Sequence, residues 1–413
     1  MTASLWATCG LVTLAALAAT GVTSQVGTAP ISSITVTAPP TNPLPEVAAL
    51  VGRLDLQRYK ATIKALTQFG DRLQGTERNR KAVDWIEAQL RRYGCPTERI
   101  RYNQPAPAPA APRQGGAAAP PPVPRAVGGG RPRGTRLAAP PNLDAMRQPN
   151  VALRAVNAER AVPGERQQVF CTKVGATVPS EMYIIGAHMD GRGFGEAAND
   201  NGSGTALVME LARVLSMPDV VTTRTVRFAL WNSEEGGSQG ALAYVAQRQA
   251  RQGREEPTGS RRYPEPRWLG MIQHDMMLFD HGAPRADGTV SPEQRLEADV
   301  NIEFLSTAKT AAGAMQLAFF VRGANGRYAT DYPAQVGPHM TNTDSRAFQD
   351  LVPSISLREN ERGVEIGSGW DPHWHQPTDL YATFSDKDFR LGLNAAQTTL
   401  GAVAELVGAR VRK

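Results

Sequence analysis

A strand–loop–helix unit at residues 183–215, YIIGAHMDGRGFGEAANDNGSGTALVMELARVL, constrains the fold and chemistry of this 413-residue chain more than any other segment. Its start is a short apolar run typical of a buried strand, and its end is an amphipathic helix. Between them lie His188, Asp190 and the glycine-rich sequence 199–204. Open α/β sheets build their ligand sites where strands end and helices begin. We therefore predict that this unit carries half of a metal site.

Two further predicted strands are also followed by acidic or imidazole side chains. The strands are residues 225–231 and 268–272, and the side chains that follow them are Glu234, Glu235, His274 and Asp275. A fourth group of the same residue types lies in the sequence WDPHWHQPTD at 370–379. Each group alone has an ordinary explanation as a surface pair, a solvated turn or a helix cap. Because such strand ends converge in space, their recurrence favours one composite site.

The alternation of predicted strands and helices indicates an α/β fold. Helical spacing of apolar residues occurs at 54–69, 80–93 and 386–407, and strand patterns occur at 151–156 and 354–357. The formal charge is +6, but arginine is scattered and does not alternate with aromatic residues. We therefore predict no nucleic-acid partner.

The residue types at the strand ends suit zinc. Zinc binds histidine nitrogen and carboxylate oxygen, and a catalytic zinc keeps a position open for water. Two metals about 3.5–4 Å apart need a carboxylate that bridges them. Asp200 suits this role because the glycines around it allow a close approach of the backbone. From the residue types alone, the remaining ligands stay open.

Four motifs occur in the order GAHMDGR…AANDNGSGTALVMELAR, RTVRFALWNSEEGGSQGALAYV, HDM and HWHQPTD. Together they resemble the zinc aminopeptidase family with two co-catalytic metals. Its relatives include bacterial secreted leucyl aminopeptidases, glutamate carboxypeptidases, transferrin receptors and glutaminyl cyclases. The resemblance implies a three-layer α/β/α fold of the zinc-exopeptidase type with a central mixed, mostly parallel sheet. It also implies two Zn²⁺ per chain and peptide or protein N-termini as substrates.

The resemblance assigns roles to individual residues. His188 and Asp275 would bind one zinc. Glu235 and His375 would bind the other, and Asp200 would bridge the two metals. Glu234 would be the general base that deprotonates the attacking water. Asp190 would orient His188.

Three positions near the motifs need a decision. His375 is preferred to His373 as the late ligand because the aromatic–histidine order and the downstream Asp379 fit the family. His274 is interpreted as a packed or solvated histidine. Asp344 is interpreted as structural or pocket-lining.

Other functions share this fold. They are glutaminyl-peptide cyclotransfer on a single zinc, carboxypeptidase action, and binding without catalysis. Cyclase relatives lose part of the two-metal set and binding relatives lose ligands or the base, whereas this chain retains all of them. We therefore predict an exported di-zinc exopeptidase, with aminopeptidase action preferred to carboxypeptidase action by analogy.

The ends of the chain differ in composition from its centre. Residues 1–24 resemble a signal peptide, since their apolar core is too short to span a bilayer, and this interpretation is preferred to a single uncleaved membrane anchor. We predict an extended leader at 25–50 and a zinc peptidase domain at 51–413, interrupted by a disordered Pro/Ala-rich insertion at about 104–149. No membrane partner is predicted beyond the signal segment.

Three cysteines are present, at positions 9, 95 and 171. Cys9 would leave with the signal peptide, and an exported protein can oxidise the remaining pair. We predict a Cys95–Cys171 disulfide; the alternative is two buried thiols.

Overall fold

An eight-stranded sheet forms the centre of the computed structural model, which describes residues 42–104, 141–279, 300–337, 343–359 and 371–412. The strands are β1 (Thr97–Gln104), β2 (Gly164–Lys173), β3 (Val178–His188), β4 (Val220–Val221), β5 (Arg224–Trp231), β6 (Arg267–His274), β7 (Val300–Glu303), β8 (Ala334–Gly337), β9 (Ser354–Glu359) and β10 (Arg410–Val411). The helices are α1 (Pro45–Val51), α2 (Leu56–Leu66), α3 (Glu77–Arg92), α4 (Val151–Asn157), α5 (Gly204–Leu215), α6 (Gln239–Arg248), α7 (Ala311–Tyr328) and α8 (Asp386–Val407).

The large sheet has the strand order β1-β2-β5-β3-β6-β9-β7-β8, and β4 pairs separately with β10. Its four central strands, β5, β3, β6 and β9, are mutually parallel. Antiparallel pairs join β1 to β2, β2 to β5 and β7 to β9, whereas β7 and β8 are parallel. The predicted mixed, mostly parallel sheet is thereby confirmed.

Helices pack on both faces of the sheet, and side chains that alternate along β3 contribute to the core on each face. Tyr183, Ile185 and Ala187 face a large core that includes apolar side chains of α1, α2, α3, α5, α7 and α8. Met182 and Ile184 face a smaller core on the opposite side, to which α6 contributes. The three-layer α/β/α architecture follows from this alternation.

The structure corrects the expected chain organisation in three places. The extended leader expected at 25–50 does not continue to its end, since Pro45–Val51 is a helix that buries Val47 and Leu50. Residues 151–156 are helical rather than a strand, because the side chain of Asn150 accepts a hydrogen bond from the amide of Leu153 and caps α4. Within the expected insertion at 104–149, residues 141–149 are ordered. The segment expected to be a signal peptide, at 1–24, and residues 105–140 lie outside the described residues.

The predicted disulfide is present. Cys95 and Cys171 are bonded with a Cα–Cα distance of 5.6 Å. The bond ties the residues just before β1 to β2. Among the described helices, none combines the length and apolar character needed to cross a membrane.

Candidate metal centre

The parallel central strands bring the chemically active side chains to one edge of the sheet. β3 ends at His188, β5 leads to Glu234 and Glu235, and β6 leads to Asp275. The strands run in the same direction, so their carboxyl ends share an edge. Asp200 reaches this edge from the segment between β3 and α5, and His375 from the residues that precede α8.

Five side chains form two groups that share Asp200. In the first, Nε2 of His188 lies 3.3 Å from Oδ1 of Asp200 and 3.4 Å from Oδ1 of Asp275. In the second, Nε2 of His375 lies 2.9 Å from Oδ2 of Asp200 and 2.9 Å from Oε1 of Glu235. Asp200 therefore presents one carboxylate oxygen to each group, which is the arrangement that a bridging ligand needs.

The donor set fits metal ions. In each group the candidate ligand atoms lie within 4.8 Å of one another. One imidazole and two carboxylates per group match the nitrogen and oxygen ligands of zinc. Oε1 of Glu235 is buried without a hydrogen-bond partner, 2.9 Å from Nε2 of His375, and an oxygen in this position suits a metal ligand.

Electrostatics in the metal-free site shows how strongly these groups interact. Burial alone would lower the pKa of His188, but the carboxylates of Asp275 and Asp200 raise it well above its usual value. Burial likewise opposes charge on His375, yet Glu235 and Asp200 raise its pKa to about 9. Burial raises the pKa of Asp200, but hydrogen bonds from both histidines outweigh that effect and lower it. The carboxylates of the site thus favour positive charge beside them, which divalent cations can supply.

Asp190 contacts two different parts of the site. Its main-chain oxygen lies 3.0 Å from Nδ1 of His188, which fixes the ring and leaves Nε2 for a ligand role. Its carboxylate is 3.9 Å from that nitrogen and instead accepts hydrogen bonds from the amides of Glu234 (3.1 Å) and Glu235 (3.4 Å). The contact with His188 is thus made by the main chain of Asp190, while its carboxylate holds the Glu234–Glu235 turn; that Asp190 orients His188 stays a prediction.

Asp379 positions the bridging residue. Its two carboxylate oxygens accept hydrogen bonds from the amides of Asn199 (2.8 Å) and Asp200 (3.0 Å). Burial, and then the charge of Asp371, raise the pKa of Asp379. Sequence reasoning used Asp379 only to align the last motif, and the contact with the distant 199–200 loop has no local signal.

Arg72 forms hydrogen bonds with the loop at 191–198 and with the residue Met189 that precedes it. This fully buried guanidinium donates to the main-chain oxygens of Met189 (2.7 Å), Glu196 (2.9 Å) and Ala197 (2.7 Å). Sequence reasoning did not single out Arg72.

Residues 141–148 connect this loop by hydrogen bonds to the segment that contains His375. The amide of Asn142 donates to the main-chain oxygen of His375, and the buried Gln148 side chain donates to those of Phe194 and Pro377.

Three other candidates lie outside the two groups. His274 is buried against Thr399 and the main-chain oxygen of Gly186, and burial lowers its pKa to about 4. Nδ1 of His373 lies 2.9 Å from Oγ1 of Thr378. Asp344 is buried and accepts a hydrogen bond from Gln273 at 3.0 Å, which is a structural contact.

The five candidate ligands line an open pocket of ≈ 370 Å³. Glu234 lines it together with Arg192, Arg346, Arg358 and Trp374. Glu234 belongs to neither group, and burial, followed by the charges of Asp344 and Glu235, raises its pKa well above the usual value. A carboxyl of this kind can take and return a proton beside the metal groups.

Comparisons with known proteins agree with this geometry. An aminopeptidase of Pseudomonas aeruginosa is 40% identical over 67 residues, which amount to 16% of this chain and 12% of that protein. The chain therefore matches only a small part of the length of this curated relative.

Solved structures share the fold. A zinc aminopeptidase from Bacillus subtilis has a TM-score of 0.54 at 17% identity, covering 87% of this chain and 96% of that one. A glutaminyl cyclase from Porphyromonas gingivalis has a TM-score of 0.52 at 14% identity, covering 86% and 99%. Residues 169–397, which contain both candidate metal groups and Glu234, match the family model described as Peptidase family M28. The chain belongs to peptidase family M28.

Proposed function

We propose that the chain is a di-zinc exopeptidase that removes N-terminal residues from peptides. The observation that carries this proposal is the pair of ligand groups joined by Asp200, with the carboxyl of Glu234 beside them in an open pocket. The resemblance to a zinc aminopeptidase structure supports the choice of metal. Two ions, rather than one, are proposed because each group offers a complete set of three donors.

Five residues of the chain would bind the two zinc ions. His188 and Asp275 would hold one zinc, Glu235 and His375 the other, and Asp200 both. When bound, zinc supplies a lowered water pKa and a polarised substrate carbonyl.

Glu234 would move the proton. Its carboxylate would take a proton from the attacking water and pass it to the leaving amine, which returns Glu234 to its starting state. Asp190 would keep Glu234 and Glu235 in place through their amides, so that proton transfer and metal binding are tied to the same short turn.

The proposal is tested with the purified full chain, zinc, and three sets of peptides. The sets have a free N-terminus, an acetylated N-terminus, or an N-terminal glutamine, and products are identified by mass spectrometry. We expect stepwise loss of N-terminal residues from free peptides only. Removal of C-terminal residues from acetylated peptides would mean a carboxypeptidase, and loss of ammonia without cleavage would mean a cyclase.

We also propose that the protein works in an oxidising compartment outside the cytoplasm. The Cys95–Cys171 bond supports this because disulfides persist in such compartments. Mass analysis of the natural protein without reductant should find no free thiol at these two positions, and two free thiols would count against export.

A further inference from the structure

Three arginines line the pocket beside the metal groups. They are Arg192, Arg346 and Arg358, and they come from three separate parts of the chain. Arg192 and Arg358 each form an ion pair with a candidate metal ligand, whereas Arg346 forms none with the described residues. Arg346 is therefore the arginine whose role the metal groups leave open.

Arg358 lies deepest. It is 2% exposed at the end of β9, with Nη2 2.8 Å from Oδ2 of Asp275 and Nε 3.6 Å from Oε2 of Glu303. Despite these distances, neither nitrogen is aligned for a hydrogen bond. Arg358 therefore pairs with Asp275 and Glu303 and adds its positive charge to the pocket wall.

Arg192 and Arg346 stand closer to solvent. Nε of Arg192 is buried without a hydrogen bond and lies 3.7 Å from Oε2 of Glu235. Arg346 is exposed on the short turn at 344–347, and no carboxylate in the described ranges forms an ion pair with it. Its charge is therefore available to a bound molecule.

The charge balance of the pocket changes when metal is present. Its wall holds four carboxylates and three guanidiniums. Two divalent cations would offset the charge of these four carboxylates, so that the wall would carry the positive charge of Arg192 and Arg346, while Arg358 keeps Glu303 beside it. A loaded pocket of this composition attracts anions and disfavours cationic side chains.

We propose that Arg346, supported by Arg192 and Arg358, selects substrates that carry a carboxylate next to the scissile bond. This inference rests on the proposed peptidase function and adds the substrate class. The carboxylate has two sources, the side chain of an acidic residue or the C-terminal carboxylate of a dipeptide. Arginine suits both, because its planar fork binds a carboxylate with two parallel hydrogen bonds.

The test compares kcat/KM within isosteric pairs of substrates. The pairs are Asp-Ala-Ala-Ala-amide with its Asn counterpart, Ala-Asp-Ala-Ala-amide with its Asn counterpart, and Ala-Ala with Ala-Ala-amide. We expect the acidic member of at least one pair to be favoured by about tenfold or more, as for a charge-assisted hydrogen bond. The pair that shows the preference identifies the source of the carboxylate.

Variants assign the preference to the pocket. Arg346→Met keeps the apolar stem and should reduce the ratio by about tenfold, Arg346→Lys should retain part of it, and Arg346→Glu should bring it below one. The matched control is Arg390→Met, an exposed arginine of α8 that does not line the pocket. The ratio is taken within each variant, so that a general loss of activity cancels.

A ratio near one for all three pairs overturns the inference while leaving the peptidase function intact. A preference that survives Arg346→Met unchanged also overturns it. If no peptide is hydrolysed, the proposed function fails. Carboxylate selection is then tested by calorimetry, which compares the affinities of the zinc-loaded protein for L-aspartate and L-asparagine. Equal binding of the two amino acids would contradict carboxylate selection.

Discussion

Replacing Asp190 by asparagine separates the two contacts that this residue makes. The main-chain oxygen that holds His188 is unchanged by the substitution, whereas the carboxylate that accepts from the amides of Glu234 and Glu235 is lost. Asparagine keeps one acceptor oxygen and turns an amide donor toward the other main-chain N–H. We therefore expect damage on the Glu235–His375 side of the centre and little on the His188–Asp275 side.

The size of the effect follows from the lost bond. A buried N–H left without an acceptor costs about 1–3 kcal/mol. At about 1.4 kcal/mol per factor of ten, this corresponds to roughly 5–150-fold in zinc affinity, similar to the 10–100-fold typical of residues that support metal ligands.

Zinc affinity is measured by competition with a chelating dye in two backgrounds. His375→Ala leaves mainly the His188 group, and His188→Ala leaves mainly the His375 group. Asp190→Asn should weaken zinc binding in the His188→Ala background and leave the His375→Ala background within about twofold. The exposed Asp331→Asn serves as the control. The opposite pattern would show that the carboxylate acts on His188, and the reasoning would be refuted.

Three further predictions concern the proton carrier, the pH dependence and the disulfide. Glu234→Gln should lower kcat by about 10²–10⁴-fold with zinc content unchanged, because it removes only the proton carrier; full activity in that variant would exclude the role. Zinc binds neutral imidazole, and His375 has a pKa of about 9 in the metal-free protein, so zinc uptake at pH 7 should release protons and apparent affinity should rise with pH up to about 9. Calorimetry in buffers of different ionisation enthalpy measures this, and pH-independent affinity would contradict it. The Cys95→Ala/Cys171→Ala double variant should lose about 4.5 kcal/mol of unfolding free energy by the loop-closure relation for a sequence separation of 76; denaturant unfolding gives the value, and an unchanged midpoint would show that the bond does not constrain the unfolded chain.

Strong periodic patterns made parts of the fold predictable. The apolar spacing at 386–407 predicts a helix with the bounds that α8 has, and Ser385 with Asp388 forms a capping box at its start. The strand expected at 151–156 is a helix because six residues of mixed pattern show little periodicity, so the N-cap at Asn150 decides the structure. The resemblance to a family predicted the five candidate ligands, and the structure places them in two groups that share Asp200.

Contacts between distant segments were not predictable in the same way. The strand at 354–357 was expected, but its neighbour was not, and the pairing of His274 with Leu357 is what sets Arg358 beside Asp275. The main-chain contact of Asp190 likewise depends on how the chain turns after β3. The spacing of two residues does not predict whether the carboxylate or the main-chain oxygen of Asp190 will contact the His188 ring.

The most direct test of the account is the zinc content of the purified protein and two of its variants after dialysis. Mass spectrometry of the metal should give close to two zinc ions per chain for the wild type. It should give close to one for His188→Ala and for His375→Ala. One zinc or none in the wild type, or two in either variant, would contradict a centre built from two ligand groups joined by Asp200.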